Sequence, residues 1–148
     1  MKIVVDSNIV FSALLNPRSN IGDIILNSKG LRIDLYSCEQ LRTEIGKYDQ
    51  KIISSAKYNM HEYHELQYLV YKQITFFTES IIPFEIWMQA AGWVRDIDMD
   101  DISFIALSLY MDIKLWTGDQ VLYNGLTKKG FDKLTTTQEI IQSLQGNK

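Results

Sequence analysis

A chain of 148 residues, 46% hydrophobic and 22% charged, is long enough to bury about two-thirds of its unfolded surface, which excludes a disordered or fibrous protein and predicts one domain over residues 1–148. The net charge of −3 argues against tight non-specific nucleic-acid binding, which rests on Lys and Arg contacts to phosphates. No apolar run approaches the ~20 residues of a membrane span, the opening MKIVVDSN meets Asp6 too early for a signal peptide, and the lone Cys38 excludes an internal disulfide, so a cytoplasmic protein away from membranes is expected. The charge argument has one limit. A carboxylate metal site makes a chain acidic while supplying the cation that meets a phosphate.

Taken in order, KIVVD (Lys2 to Asp6) is a β-branched run that reads as a buried strand ending in an Asp-Ser-Asn turn. IVFSALLN follows as a short helix stopped by Asn16-Pro17, because proline pushes its predecessor out of the α region. A second helix is predicted from Ile21 to Asn27, with Gly30 suited to a left-handed cap. RIDLYS (Arg32 to Ser37) alternates as a second strand, after which Ser37 is placed to cap the helix CEQLRTEIGKYDQ, with Gln40 at the capping-box position. That helix carries Glu44. Ser54-Ser55 is read as opening a longer helix through KYNMHEYHELQYLVYKQI, whose Leu66, Leu69, Val70 and Ile74 recur near helical spacing.

FFTESII (Phe76 to Ile82) is predicted as a third strand, and Pro83 suits the first turn of PFEIWMQAAGWVRDI. An acidic cluster, Asp96, Asp98, Asp100 and Asp101, stands before a helix from Ile102 to Met111. The strand IKLWT, a helix from Asp119 to Lys129 ended by Gly130, a short strand from Asp132 to Thr135 and a helix from Thr137 complete the chain. Strands alternating with helices at this density predict an α/β fold: a mainly parallel sheet of about four or five strands between helical layers. Ligands of such sheets gather outside the carboxyl ends of the strands. Asp6 and Asp119 both stand at such ends, although they are far apart in sequence.

Carboxylates about 4 Å apart repel by about 4 kcal/mol at an effective dielectric near 20, so a cluster either fans into water or holds a cation. Mg²⁺ and Mn²⁺ take oxygen ligands, and phosphodiester hydrolysis needs several carboxylates converging on one or two such ions. Asp6, Glu44, Asp98 or Asp101, and Asp119 are the candidates. Helix capping accounts for the same residues without metal: aspartate is a preferred N-cap, and acidic first turns complement the helix dipole. Capping does not account for aspartates from distant segments meeting at one rim.

VVDSNIVFSAL, the acidic residue in LRTEI, and DMDDISFIALSLYMDIKLWTGDQVL together resemble a PIN domain, over nearly the whole chain. The most specific part is the Asp-x-x-Asp-x-x-Phe-x-Ala-Leu run followed by Leu-Trp-Thr-Gly-Asp. The resemblance implies a three-layer α/β/α sandwich and an endoribonuclease dependent on Mg²⁺ or Mn²⁺, of the kind found as the VapC-type toxin of toxin–antitoxin pairs. It implies Asp6, Glu44, Asp101 and Asp119 as catalytic metal ligands, with Asn8, Asp98 and Thr117 supporting them. It also implies an RNA substrate, an antitoxin partner and a homodimer. A PIN-fold module that binds RNA or an antitoxin-like protein without efficient catalysis, and a metal-dependent DNA nuclease, remain open beside it. Arg18, Arg42, Lys47, Lys51 and Arg95 are candidate phosphate contacts. Tyr58, Tyr63, Tyr68 and Tyr71 read as tyrosines with buried rings, and His61, His64 and Glu65 as a solvated helix face.

Overall fold

Buried Ile3, Val4 and Val5 make Lys2–Val5 (β1) the middle of the fold. In the computed structural model, which describes residues 1–146, β1 is flanked on one side by Asp34–Cys38 (β2) and then Ile74–Phe77 (β3). Lys114–Trp116 (β4) and Leu134–Thr135 (β5) lie on the other side. The five-stranded sheet has the order β3-β2-β1-β4-β5, and its pairings are parallel. Val4 sits opposite Tyr36 on one side and Leu115 on the other. Strands buried on both faces have no polar face to present, which is why KIVV is apolar almost throughout.

The chain leaves β1 toward β2 and β3, then crosses back to β4 and β5. With right-handed crossovers, these opposite directions put the intervening helices on opposite faces. Ser7–Leu15 (α1), Asn20–Leu26 (α2), Glu39–Lys47 (α3), Asp49–Ala56 (α4) and Met60–Tyr71 (α5) pack among themselves as one layer. Phe84–Val94 (α6) and Ile102–Met111 (α7) pack together on the other, with α7 against β1, β2 and β4. Phe104, Ile105, Ala106 and Leu107 of α7 are fully buried there. Gln120–Lys128 (α8) and Thr137–Gly146 (α9) follow β4 and β5. The result is the α/β/α sandwich expected from the sequence. Its strand order reverses between β1 and β4, so the crevice at their carboxyl ends is where a ligand site belongs.

Several local features differ from those expected of the sequence. Ser37 does not cap α3; it lies inside β2 and donates its hydroxyl to Val5 O at 2.8 Å, pinning β2 to β1. The first turn of α3 is satisfied from far away, by Glu79 Oε1 accepting from Gln40 N at 2.8 Å. The long helix from Ser54 is broken: Lys57 takes left-handed backbone (φ 59) and Asn59 begins a new helix through a capping box with Glu62. The third strand lies earlier than predicted, at Ile74–Phe77, because Thr78 leads into a 3₁₀ turn at Glu79–Ile81. Gly30 is not the left-handed residue of its turn; Arg32 is, at φ 61.

Candidate active site

Asp6 follows β1 directly and caps α1: its Oδ1 accepts from Ile9 N at 3.0 Å. The residue is 2% exposed, so one carboxylate oxygen is engaged and the whole group is desolvated. Burial pushes its pKa up to about 6, against the pull of hydrogen bonds from Thr117 and Ile9 and with the neighbouring charges of Asp119 and Glu44 adding to the rise. Asp119 is built the same way at the end of the next strand. It caps α8 by accepting from Leu122 N at 3.1 Å, and its own N–H donates to Thr117 Oγ1 at 3.1 Å. Buried Thr117 thus holds the Asp119 turn and lies close enough to Asp6 to lower its carboxyl pKa.

Asp101 differs from both. It occupies the position before α7 yet makes no capping hydrogen bond. Its Oδ2 is buried without a hydrogen-bond partner among the described residues. Its pKa is pushed up to about 7, first by burial and then by the charges of Asp6, Asp98, Asp119 and Glu44. An orphaned carboxylate oxygen in a field of like charge costs stability, and helix capping does not account for it. Asp98 does serve as a cap, accepting from Asp100 N at 2.9 Å, and so shapes the 3₁₀ turn Met99–Asp101 that presents Asp101.

Glu44 projects from α3 toward these groups and is tethered on both oxygens: Ser7 Oγ donates to Oε2, and Gln40 Nε2 donates to Oε1 at 3.2 Å. Helix α8 holds the acidic turn in place. Lys129 at its end donates to Gly92 O and Trp93 O and pairs with Asp96. A Cβ on Gly125 would come within 2.7 Å of Ile97 Cδ1, so the glycine lets α8 lie close against the Ile97 side chain beside the acidic turn.

The carboxyl edge opens into a cleft of about 450 Å³ whose walls include Glu44, Asp98, Asp101 and Asp119, with Asn8 exposed among them. Among the described residues, no group of three or more His, Cys, Asp or Glu side chains closes into a metal-holding cluster. Glu44, Asp101 and Asp119 share the cleft; Asp6 lies buried beneath its floor and is joined to them through their common electrostatic field, and Asp6, Asp119 and Glu44 each direct oxygen toward protein donors. Their chemistry nevertheless fits a hard divalent cation: oxygen donors only, excess negative charge, and an unpartnered Asp101 oxygen.

Of the candidate phosphate contacts, Lys47 and Lys51 line this cleft. Arg42 instead lies over the Phe76 ring at 4.0 Å and pairs with Glu39. Asp96 pairs with Lys129 rather than standing free, and Asp100 lines the cleft. Cys38 is buried, and burial raises its thiol pKa well above the ordinary range, so it is a core residue. Tyr63 is fully buried with its hydroxyl donating to Asp49, while Tyr68 is exposed; His61 pairs with Glu65 on the solvated face of α5. Sequence reasoning missed Ser7, Phe11 and Tyr48 as parts of the cleft. Ser7 was signalled by its place beside Asp6; Phe11 and Tyr48 look in sequence like ordinary helix residues.

No curated protein sequence matches the chain. Among solved structures, it is similar to a crystal structure of VapBC2 from Rickettsia felis bound to a DNA fragment from their promoter. The TM-score is 0.62 at 10% identity, covering 92% of this chain and 97% of that one, which is a likeness of fold. The family model described as PIN domain matches residues 4–144, a span that runs from β1 through the acidic turn and into α9. With that match, and with the parallel sheet and its acidic carboxyl edge, the chain belongs to the PIN domain family.

Proposed function

We propose that this PIN domain, acting as one unit over residues 1–148, is a metal-dependent endoribonuclease and the toxin component of a toxin–antitoxin pair. The observation that carries the reading is Asp101: a buried, unpartnered carboxylate oxygen beside Asp6, Glu44 and Asp119. Asp6, Glu44, Asp101 and Asp119 are the residues that hold Mg²⁺ or Mn²⁺. When bound, such an ion polarises the phosphodiester and lowers the pKa of a water. Asp6 and Asp119 are positioned by the helices they cap, and Glu44 by Ser7 and Gln40. Asp98 shapes the turn that offers Asp101, and Thr117 holds the turn that offers Asp119. No histidine lines the cleft among the described residues, so the general base is a carboxylate or hydroxide that the metal would supply. The toxin role carries with it a protein antitoxin, a homodimer and a cytoplasmic setting.

The test is direct. Millimolar Mg²⁺ or Mn²⁺ should raise Tm, since a ligand that binds only the folded state stabilises it. The same metals should be required for cleavage of total RNA by the purified protein. A metal-induced Tm shift without cleavage of RNA but with cleavage of DNA would assign a DNA nuclease. A shift with neither would assign a binding module for RNA or an antitoxin-like protein. No Tm shift with either metal would remove the metal site and with it the reading.

A further inference from the structure

Beside Asp98, Asp101 and Asp119, the cleft is lined by a stripe of residues from α3 and α4. Gln40, Glu44, Lys47 and Lys51 line it together, spaced i, i+4, i+7 and i+11, the spacing of a single helical face. The stripe continues from α3 into α4 although Tyr48 closes the first helix and opens the second. Tyr48 N donates to Ile45 O at 2.9 Å in a 3₁₀-type bond and Ile52 N donates to Tyr48 O at 2.9 Å, so the chain turns only slightly there and the four residues still line the same cleft. Along the stripe the chemistry changes from amide and carboxylate to two lysines. Neither lysine forms an ion pair among the described residues, although Asp98, Asp100 and Asp101 line the same cleft.

Aromatic rings complete this wall. Tyr48 is 47% exposed, so part of its ring is open to a ligand in the cleft. It is braced edge-on against Phe11 at 5.6 Å between centroids, and Lys51 Nζ lies 5.9 Å from the Phe11 ring. The wall thus offers an aromatic surface held by a second ring, with the ammonium group of the adjacent Lys47 on one side and that of Lys51, one turn on, on the other. Protein segments dock through apolar anchors. The strongly exposed apolar residues Phe84, Met88 and Val121 lie on other helices, and none of them lines this cleft.

We propose that Tyr48 with Phe11, flanked by Lys47 and Lys51, forms a nucleotide subsite that selects an unpaired nucleotide and seats the strand beside the carboxylates. This rests on the nuclease reading only for its substrate class. A ring that stacks on a base needs a free base face, which a single strand offers and a duplex interior does not. The lysines meet the phosphates on either side of the stacked nucleotide. The cleft volume of about 450 Å³ falls in the range of sites that enclose one small ligand. Tyr48 is on this view a specificity residue that does not touch the reacting atoms.

The experiment is fluorescence anisotropy with a labelled eight-nucleotide single-stranded RNA and the same RNA as a duplex. It is done in Mg²⁺ on the Asp101→Asn protein, so that cleavage does not intervene. Adding Tyr48→Ala should weaken single-strand binding by about 5- to 100-fold, Tyr48→Phe should restore it, and duplex binding should be weak and indifferent to both. Lys47→Ala and Lys51→Ala should each lower the slope of log Kobs against log salt by about 0.7. Melting curves confirm that each variant is folded; half-exposed Tyr48 tolerates the change. Single-strand binding that ignores Tyr48→Ala, or that Tyr48→Phe fails to restore, overturns the subsite. So does a protein partner whose binding, unlike that of RNA, depends on Tyr48. If the wild type cleaves RNA while Tyr48→Ala binds normally, the subsite falls and the nuclease stands. If the wild type never cleaves but its single-strand binding needs Tyr48, the nuclease falls and the subsite stands.

Discussion

The aspartates of this chain fall into two populations. At the periphery, Asp96 pairs with Lys129 and Asp112 with Lys133, and hydrogen bonds from these lysines hold both carboxyls below their ordinary pKa range. At the carboxyl edge of the sheet, Asp6 and Asp101 have no cationic partner among the described residues, and burial pushes them up to about 6 and about 7. The residue type is the same and the outer pairs are structural ornament of modest value. What differs is compensation. A fold that supplies lysines to exposed aspartates and withholds them from buried ones keeps an electrostatic deficit where a ligand cation can make it good, and such local inconsistency concentrates at functional sites.

The largest test of this contrast is catalytic. Asp101→Asn and Asp6→Asn are each expected to reduce metal-dependent RNA cleavage by at least about 100-fold, measured on a defined RNA. Asp96→Asn and Asp112→Asn should leave it unchanged. Equal losses in both groups would erase the distinction between them.

Next in size is stability without metal. Asparagine caps a helix as well as aspartate, so Asp6→Asn keeps the Ile9 hydrogen bond while removing a buried charge. Raising a carboxyl from 3.8 to about 6 corresponds to at most about 3 kcal/mol, at 1.36 kcal/mol per unit. Asp6→Asn in EDTA at pH 8 should therefore raise Tm by several degrees and abolish the further rise on adding Mg²⁺. A variant less stable than wild type would make Asp6 a structural group first.

The two populations also respond to pH with opposite signs. A carboxyl whose pKa is raised by folding binds more protons in the folded state, so stability falls as pH rises. With Asp6 moved from 3.8 to about 6 and Asp101 to about 7, the metal-free protein should lose stability between about pH 4 and pH 7. Denaturation in EDTA across that range reads the loss directly. Asp96 and Asp112 are lowered instead, so their contribution is present above pH 4 and lost as pH falls below it. The smallest effect is Lys129→Ala. Its ion pair is exposed, and Tm should drop by about 1–2 °C, although slower cleavage would show that the acidic turn depends on this tether.

The legibility of the chain varied with the range of the interaction concerned. Helix α7 was predicted at its observed bounds, Ile102–Met111, because its apolar run and acidic start are both local. The break before α5 was also local, since Asn59 and Glu62 are a capping box in plain view, but Ser54-Ser55 competed with it as a start signal. The cap of α3 was not legible at all. Glu79 reaches Gln40 N only because β3 pairs with β2 and brings a distant 3₁₀ turn alongside.

The same division runs through the site. Sequence alone determined the alternation that makes a parallel α/β sheet, the family resemblance, and the acidic residues at strand and helix ends, because periodicity and helix-end chemistry are short-range properties. Only the tertiary structure decided that Asp101 keeps a buried oxygen without a partner, that Ser7 and Gln40 hold Glu44, and that Tyr48 and Phe11 line one cleft with Glu44, Asp101 and Asp119. Burial and cross-chain hydrogen bonding depend on which segments the sheet order brings together. Here that order places the ends of β1 and β4 side by side.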